Sequence, residues 1–145
     1  MSKKVLITGG NKGIGLAVSR AMLEFGYEII IVARDFDTCP LVGVANVTCI
    51  EYDLSNVDGL PELVKEVGDI DILINNAGYM QPKYTYDNYP KEARDHIMNV
   101  DLYTPIELMN LFSVGMKKRK YGRIVNTASI AGQIGHPDVW YGMAK

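Results

Sequence analysis

Five short apolar, β-branched runs punctuate the chain, and between them the hydrophobic positions change period. The runs are "KVLIT" (Lys4 to Thr8), "EIIIVA" (Glu28 to Ala33), "VTCIEY" (Val47 to Tyr52), "DILIN" (Asp71 to Asn75) and "RIVNTA" (Arg123 to Ala128). Their continuous apolar character predicts strands buried on both faces. Between the first two, Ile14, Ala17, Val18, Ala21, Met22 and Phe25 recur at helical spacing, and Gly26 supplies a helix stop. A longer helical pattern runs from about Lys91 to Lys120, with Pro105 as a kink or break. Pro40 and Gly43 interrupt the stretch between Arg34 and the third run, which predicts a loop or a single turn there. Strand–helix–strand alternation predicts the α/β class: a doubly wound parallel sheet of Rossmann type, in a single domain over residues 1–145.

Composition narrows the function. The 145 residues are 48% hydrophobic and carry a net charge of −2, which suits one soluble globular domain and argues against nucleic-acid binding. The basic run Lys117 to Lys120 reads as a solvated helix end, where cations suit the helix dipole. No apolar run is long enough to span a bilayer, so no membrane partner is expected. Two cysteines, Cys39 and Cys49, and no signal peptide point to a reduced, cytoplasmic protein. His96 and His136 have no ligand spacing with each other or with the cysteines, so no metal site is expected.

Two stretches carry chemistry. "TGGNKGIG" (Thr8 to Gly15) follows the first strand and opens the first helix. Glycines there permit a tight turn and close approach of a phosphate to backbone N–H groups at a helix N-terminus. The spacing Gly9, Gly13, Gly15 is neither G-x-G-x-x-G nor a Walker loop, so the strand–loop–helix context carries the dinucleotide reading. The second strand should end near the adenosine ribose, and it ends on Ala33 with Arg34 and Asp35 behind it. Lys12 and Arg34 are cations suited to a 2′-phosphate, which favours NADP(H) over NAD(H); Asp35 argues the other way. The plain alternative is that Lys12 and Arg34 are merely exposed charges. The second stretch is "WYGMAK", Trp140 to Lys145, in which Tyr141 and Lys145 share one helical face. A free tyrosine titrates near pH ~10, and an ammonium one turn away favours its phenolate. Such a tyrosine can exchange a proton with a carbonyl oxygen.

The motifs together resemble the short-chain dehydrogenase/reductase family. The resemblance runs along the whole chain and rests on "TGGNKGIG", Asp53 in "YDLS", "NNAG" (Asn75 to Gly78), Ser129 after the fifth strand, and Tyr141 with Lys145 as Y-x-x-x-K. It implies that Gly9, Lys12, Gly13, Ile14, Gly15, Arg34, Asp53, Leu54, Asn76, Ala77 and Gly78 hold a nicotinamide dinucleotide. Asp53 would meet the adenine amino group, and Tyr141 and Lys145 would reach the nicotinamide end. Ser129, Tyr141 and Lys145 would then be catalytic, moving hydride between NADP(H) and a small carbonyl or alcohol. Taken singly, each has a plain structural reading. A serine at a strand end is usually a cap, and Tyr–Lys pairs are common on exposed helices.

Two departures stand out. The family carries a further catalytic asparagine on the long helix. Asn99 and Asp101 compete for that position, and Asp101, 28 residues before Ser129, has the expected register. Asp101 also shares an inward face with Ile97, Thr104 and Leu108, so it is expected to take the asparagine's place among the catalytic residues. The family's chains also continue beyond Y-x-x-x-K with further strands, a substrate loop and a subunit contact. This chain is therefore expected to be partial, with the C-terminal strands of its sheet missing, and a full-length form is expected to be a homo-oligomer. The alternative function is a dinucleotide-binding protein with little or no turnover, or a fragment that keeps the fold without a ligand.

Overall fold

A computed structural model describes residues 2–145 apart from Pro82 and Tyr86. The apolar runs form five strands: β1 (Lys4–Thr8), β2 (Glu28–Ala33), β3 (Val47–Glu51), β4 (Ile72–Asn75) and β5 (Arg123–Asn126). All neighbours are parallel, in the order β3-β2-β1-β4-β5. The order reverses between β1 and β4, which is the switch point where ligands bind in doubly wound sheets. The third, fourth and fifth strands are shorter than their apolar runs: Tyr52, Asp71, Thr127 and Ala128 lie in the connections.

Strand side chains alternate between faces, so each run feeds two cores. Leu6, Ile30, Val32 and Leu73 pack against Leu63, Leu108 and Phe112 on one side. Val5, Ile7, Ile29, Ile31, Ile72 and Ile74 pack on the other, against Leu16, Val18, Met22 and the loop residues Cys39 and Leu41. That loop, 34–46, contains turns and no helix, as Pro40 and Gly43 predict. Two apolar side chains of β5, Ile124 and Val125, are exposed.

Helix α1 (Gly13–Glu24) buries only part of the face its apolar spacing marks: Val18 and Met22 pack on the core, and the other four marked positions do not. Ile14 is 71% exposed and Phe25 76%, and Ala17 and Ala21 are exposed too. The buried positions are Gly15 and Ser19. Ser19 Oγ shares its proton between the carbonyls of Gly15, at 2.9 Å, and Gly10, at 3.1 Å. The small side chains of Gly15 and Ser19 let α1 approach the loop after β1 closely. Gly26, with φ +80°, ends the helix in the left-handed region.

A helix not among the predicted elements, α2 (Leu60–Val67), follows a single turn at Val57–Gly59, and its Leu60, Leu63, Val64 and Val67 recur at helical spacing. Its Pro61 sits in the first turn, where a missing N–H is harmless. The long pattern from Lys91 breaks into α3 (Lys91–Met98), a π-helical turn (Asn99–Tyr103) and α4 (Thr104–Arg119). Pro105 stands in the first turn of α4, so the break precedes it. The basic run Lys117 to Lys120 closes α4, with Lys120 in the left-handed region as its cap. A short α5 (Val139–Ala144) ends the chain.

Gly15→Ala separates two effects of opposite sign. Helix propensity alone favours alanine by about 1 kcal/mol. A Cβ at Gly15, however, would press against the carbonyl oxygen of Gly9 and the Asn76 amide. Packing should win, with a net loss of about 1–3 kcal/mol in urea unfolding. Unchanged or raised stability would show that α1 does not lie this close to the end of β1.

Candidate active site

A cavity of about 500 Å³ opens beyond the C-terminal ends of β1, β2, β4 and β5, within the range of small-ligand sites. Its floor is a lacing of the loop after β1 to the segment after β4. Thr8 Oγ1 accepts from the main-chain N–H groups of Asn76 and Ala77, both at 3.0 Å. The Asn76 amide donates back to the carbonyls of Thr8, at 3.1 Å, and Gly9, at 3.3 Å. Gly9 and Gly13 hold φ of +66° and +55°, a region only glycine enters cheaply. Lys12 occupies the N-cap of α1, its side chain makes no capping bond, and the first turn carries no acidic residue. The leading N–H groups of the helix are therefore uncapped by side chains, which is how helix N-termini receive anions.

Of the sequence-marked binding residues, Gly9, Lys12, Ile14, Gly15, Arg34, Asp53, Leu54, Asn76, Ala77 and Gly78 all line this cavity. Gly13 does not; its left-handed φ shapes the loop from behind. Asp35 lines the wall beside Arg34, so both residues of opposite meaning for the cofactor are at hand. The Arg34 guanidinium lies 5.8 Å above the Tyr79 ring, and His96 meets the same ring edge-on at 4.5 Å. Asp53 Oδ1 accepts from Ser55 N at 2.9 Å. That bond is the main cause holding its carboxyl below the usual range.

Ser129 lies at the far end, on the same wall as Thr127. Its Oγ accepts from Ala131 N at 3.2 Å, capping a single turn at Ile130–Gly132. The structural role of a cap and a place on the cavity therefore coincide. Tyr141 and Lys145 also line the cavity, from α5. Lys145 N donates to Tyr141 O at 3.0 Å, so the helical repeat does place them on one face. Lys145 Nζ lies 5.8 Å from the centre of the Tyr141 ring and donates to Thr127 O at 3.3 Å. Its side chain is only 7% exposed.

Asp101 lies behind Lys145 and not on the cavity wall. Its side chain is fully buried among Ile97, Thr104 and Leu108, the face the sequence marks. Oδ1 accepts from Tyr79 N at 2.7 Å. Oδ2 has no hydrogen-bond partner among the described residues and stands 4.0 Å from Lys145 Nζ. Asn99 turns elsewhere, its amide donating to Ser55 O at 3.0 Å. The π-turn thus brings Asp101 to the lysine and leaves Asn99 out. Gly78 keeps the space open, since a Cβ there would sit 3.2 Å from Lys145 Nζ.

Three structural contributors are absent from the sequence-marked residues. Asn11 is buried in the glycine loop and donates to Asp35 O at 2.9 Å, tying that loop to the end of β2. Thr127 offers only its carbonyl to Lys145, and a main-chain acceptor leaves no mark in a sequence. Asp138 caps α5 through Tyr141 N at 3.1 Å; an aspartate three residues before the tyrosine is the one hint available.

Burial raises the Asp101 pKa to about 6; the Tyr79 N–H and the Lys145 charge oppose the rise, and Asp138 adds to it. An unfolded carboxyl ionises near pH ~4. Between those values the folded state binds more protons than the unfolded one, so stability falls as pH rises through the window. Relative to Asp101→Asn, the parent should lose about 3 kcal/mol between pH ~4 and ~7, read from paired urea titrations. Parallel profiles for the two proteins would mean the carboxyl ionises normally in the fold.

Comparison with known proteins agrees with this geometry. The family model for short chain dehydrogenase matches residues 3–145. The chain is 36% identical over 143 residues to the ketoacyl reductase HetN of Nostoc sp., covering 92% of this chain and 50% of that protein. It is 33% identical over 150 residues to an acetoacetyl-CoA reductase of Shinella zoogloeoides, covering 93% and 58%. The chain thus spans little more than half the length of these curated relatives. Its fold matches 4-hydroxyisoleucine dehydrogenase complexed with NADH at a TM-score of 0.92 and 24% identity, covering 99% of this chain and 62% of that one. A metagenomic short-chain oxidoreductase in complex with NADP matches at 0.88 and 25% identity, covering 99% and 69%. With its switch-point cleft and its match along nearly every residue, the chain belongs to the short chain dehydrogenase family.

Proposed function

We propose that the chain is the cofactor-binding and catalytic part of an NADP(H)-dependent oxidoreductase acting on a small carbonyl or alcohol. The observation that carries this reading is the Tyr141–Lys145 pair, which lines the same cavity as the glycine loop. Support comes from the relatives named as ketoacyl and acetoacetyl-CoA reductases, which are identical to this chain at about a third of the aligned positions.

The cleft fits a nicotinamide dinucleotide. Gly9 and Gly15 keep the loop thin, because a Cβ at either would strike backbone across the lacing. The uncapped start of α1 suits a pyrophosphate, and Lys12 and Arg34 suit a 2′-phosphate on the adenosine ribose. A bound dinucleotide supplies or accepts the hydride. The chain's own residues handle the proton and the oxygen. Tyr141 gives its hydroxyl proton to the substrate carbonyl oxygen, or takes it back in the reverse direction. Ser129 Oγ already accepts from Ala131 N, which leaves its own O–H to donate to that oxygen. Lys145, fixed on Thr127 O, offsets negative charge on the phenol oxygen. Asp101 acts through Lys145 as a positioning residue and draws on the same positive charge when ionised.

A second reading is favoured by that last contact. A buried carboxylate beside Lys145 competes with the phenol for one cation, which suits a dinucleotide-binding protein of low turnover.

Tyr141→Phe in the full-length protein should abolish carbonyl reduction while NADPH binding, followed by nicotinamide fluorescence, stays within about twofold, because the hydroxyl alone is lost. Reduction at the parent rate would remove Tyr141 from the chemistry. Arg34→Ala should weaken NADPH by about 10–100-fold, the worth of a charge-assisted bond, and leave NADH nearly unchanged. Equal losses for both dinucleotides would point to NAD(H), with Asp35 as the ribose contact.

A further inference from the structure

Asp138 is fully buried, yet it lies on no wall of the cavity. Its carboxylate collects donors from two directions. Oδ1 accepts from Tyr141 N at 3.1 Å, and Oδ2 accepts from Gln81 N at 2.7 Å. The Tyr89 hydroxyl bridges both oxygens, at 3.2 and 3.3 Å. Burial and the Asp138 charge push the Tyr89 phenol far up, so it remains a donor at neutral pH. The main chain of the same residue makes a further tie: Asp138 N donates to His136 Nδ1 at 3.1 Å. The His136 ring lies 5.4 Å from the Tyr141 ring. Asp138 thus binds the Tyr141 backbone directly and, through its own main chain, the His136 ring that neighbours the Tyr141 ring.

The Gln81 bond is half of a pattern. Two residues earlier, Tyr79 N is bound by Asp101, which faces Lys145. Alternate N–H groups of the 79–81 segment therefore go to two buried carboxylates. One contacts Lys145 and the other Tyr141. Between them Met80 reaches the cavity, beside Tyr79. A helix cap alone needs one acceptor oxygen and gains about 1 kcal/mol at the surface. Burying a whole carboxylate is costly unless its oxygens are satisfied, and here the satisfying donors are Gln81 N, next to the wall residue Met80, the Tyr89 hydroxyl, and the helix that bears Tyr141.

We infer that Asp138 is a positioning residue, which sets the Tyr141 hydroxyl in register with the segment 79–81 so that its proton starts from a fixed point. This rests on the reading of Tyr141 as the proton donor. The misplacement of a reacting group by about 1 Å costs about a hundredfold in rate.

The test uses the full-length protein, with kcat expressed per NADPH-binding site so that unfolded molecules do not count. Asp138→Ala should lower kcat about 10–100-fold, with KM and NADPH affinity within about threefold. Asp138→Asn keeps an acceptor for Tyr141 N and should recover part of that loss. Tyr89→Phe removes one donor without touching the cavity and should lower kcat by about two- to fivefold, so a misfolded alanine variant does not end the test. Parent kcat per site in Asp138→Asn and Tyr89→Phe would overturn the inference, as would a loss that appears only in the fraction of sites. Tyr141→Phe run alongside separates the two readings. If it retains turnover, the proton-donor assignment fails; if it is inert while the Asp138 variants are unimpaired, only the positioning role fails.

Discussion

The cleft exists because helix α1 can come within van der Waals contact of the strand that precedes it. Gly15 and Ser19 lie against the carbonyls of Gly9 and Gly10, with no side chain bulk between them. That approach aims the uncapped start of the helix at the space beyond β1. The lacing of Thr8 to Asn76 and Ala77 then fixes β4 beside it, so loops from both sides of the topological switch share one floor. Bulk at the contact would move the helix outward, and the N–H groups, the glycine loop and the far wall would lose their common centre.

At the other end of the cavity the governing quantity is buried negative charge. Asp101 and Asp138 sit close enough for one to raise the pKa of the other. They are satisfied differently. Asp138 has donors on both oxygens, whereas Asp101 leaves Oδ2 without a hydrogen bond among the described residues and relies on Lys145 at 4.0 Å. Desolvation disfavours the charge on Asp101, and the lysine restores only part of what water would give. The result is a carboxyl that changes state near neutrality beside the cation the proposed chemistry uses. An asparagine at that position would have no such dependence on pH.

Much of this architecture is present in the one-dimensional pattern. Continuous apolar runs make all five strands legible, with one or two end residues of three of them displaced into connections; the expected burial on both faces fails for β5, which is exposed along its length, and for most of β3. Proline and glycine between Arg34 and Val47 announced the missing helix. The binding residues were legible because glycines, Asn76 and the Tyr141–Lys145 spacing answer local demands: a turn, a strand end, one helical repeat. The inward face of Asp101 was readable for the same reason.

What the chain pattern left open was settled by contacts distant in sequence. Of the six apolar positions that mark α1, Val18 and Met22 meet the core while Ile14, Ala17, Ala21 and Phe25 stay exposed, because Gly15 and Ser19 lie against the loop after β1 and set how the helix is turned. The π-turn that delivers Asp101 to Lys145 does not follow from helical periodicity, which assumes an unbroken 3.6-residue repeat. The roles of Thr127, through its carbonyl, and of Asp138, through a segment 57 residues away, exist only once β5, α5 and the wall after β4 have met. The sequence by itself determined which elements form and which residue types stand at their ends. The tertiary structure decided which of those ends face one another, since hydrogen bonds between remote backbone groups have no signature until the chain has closed upon itself.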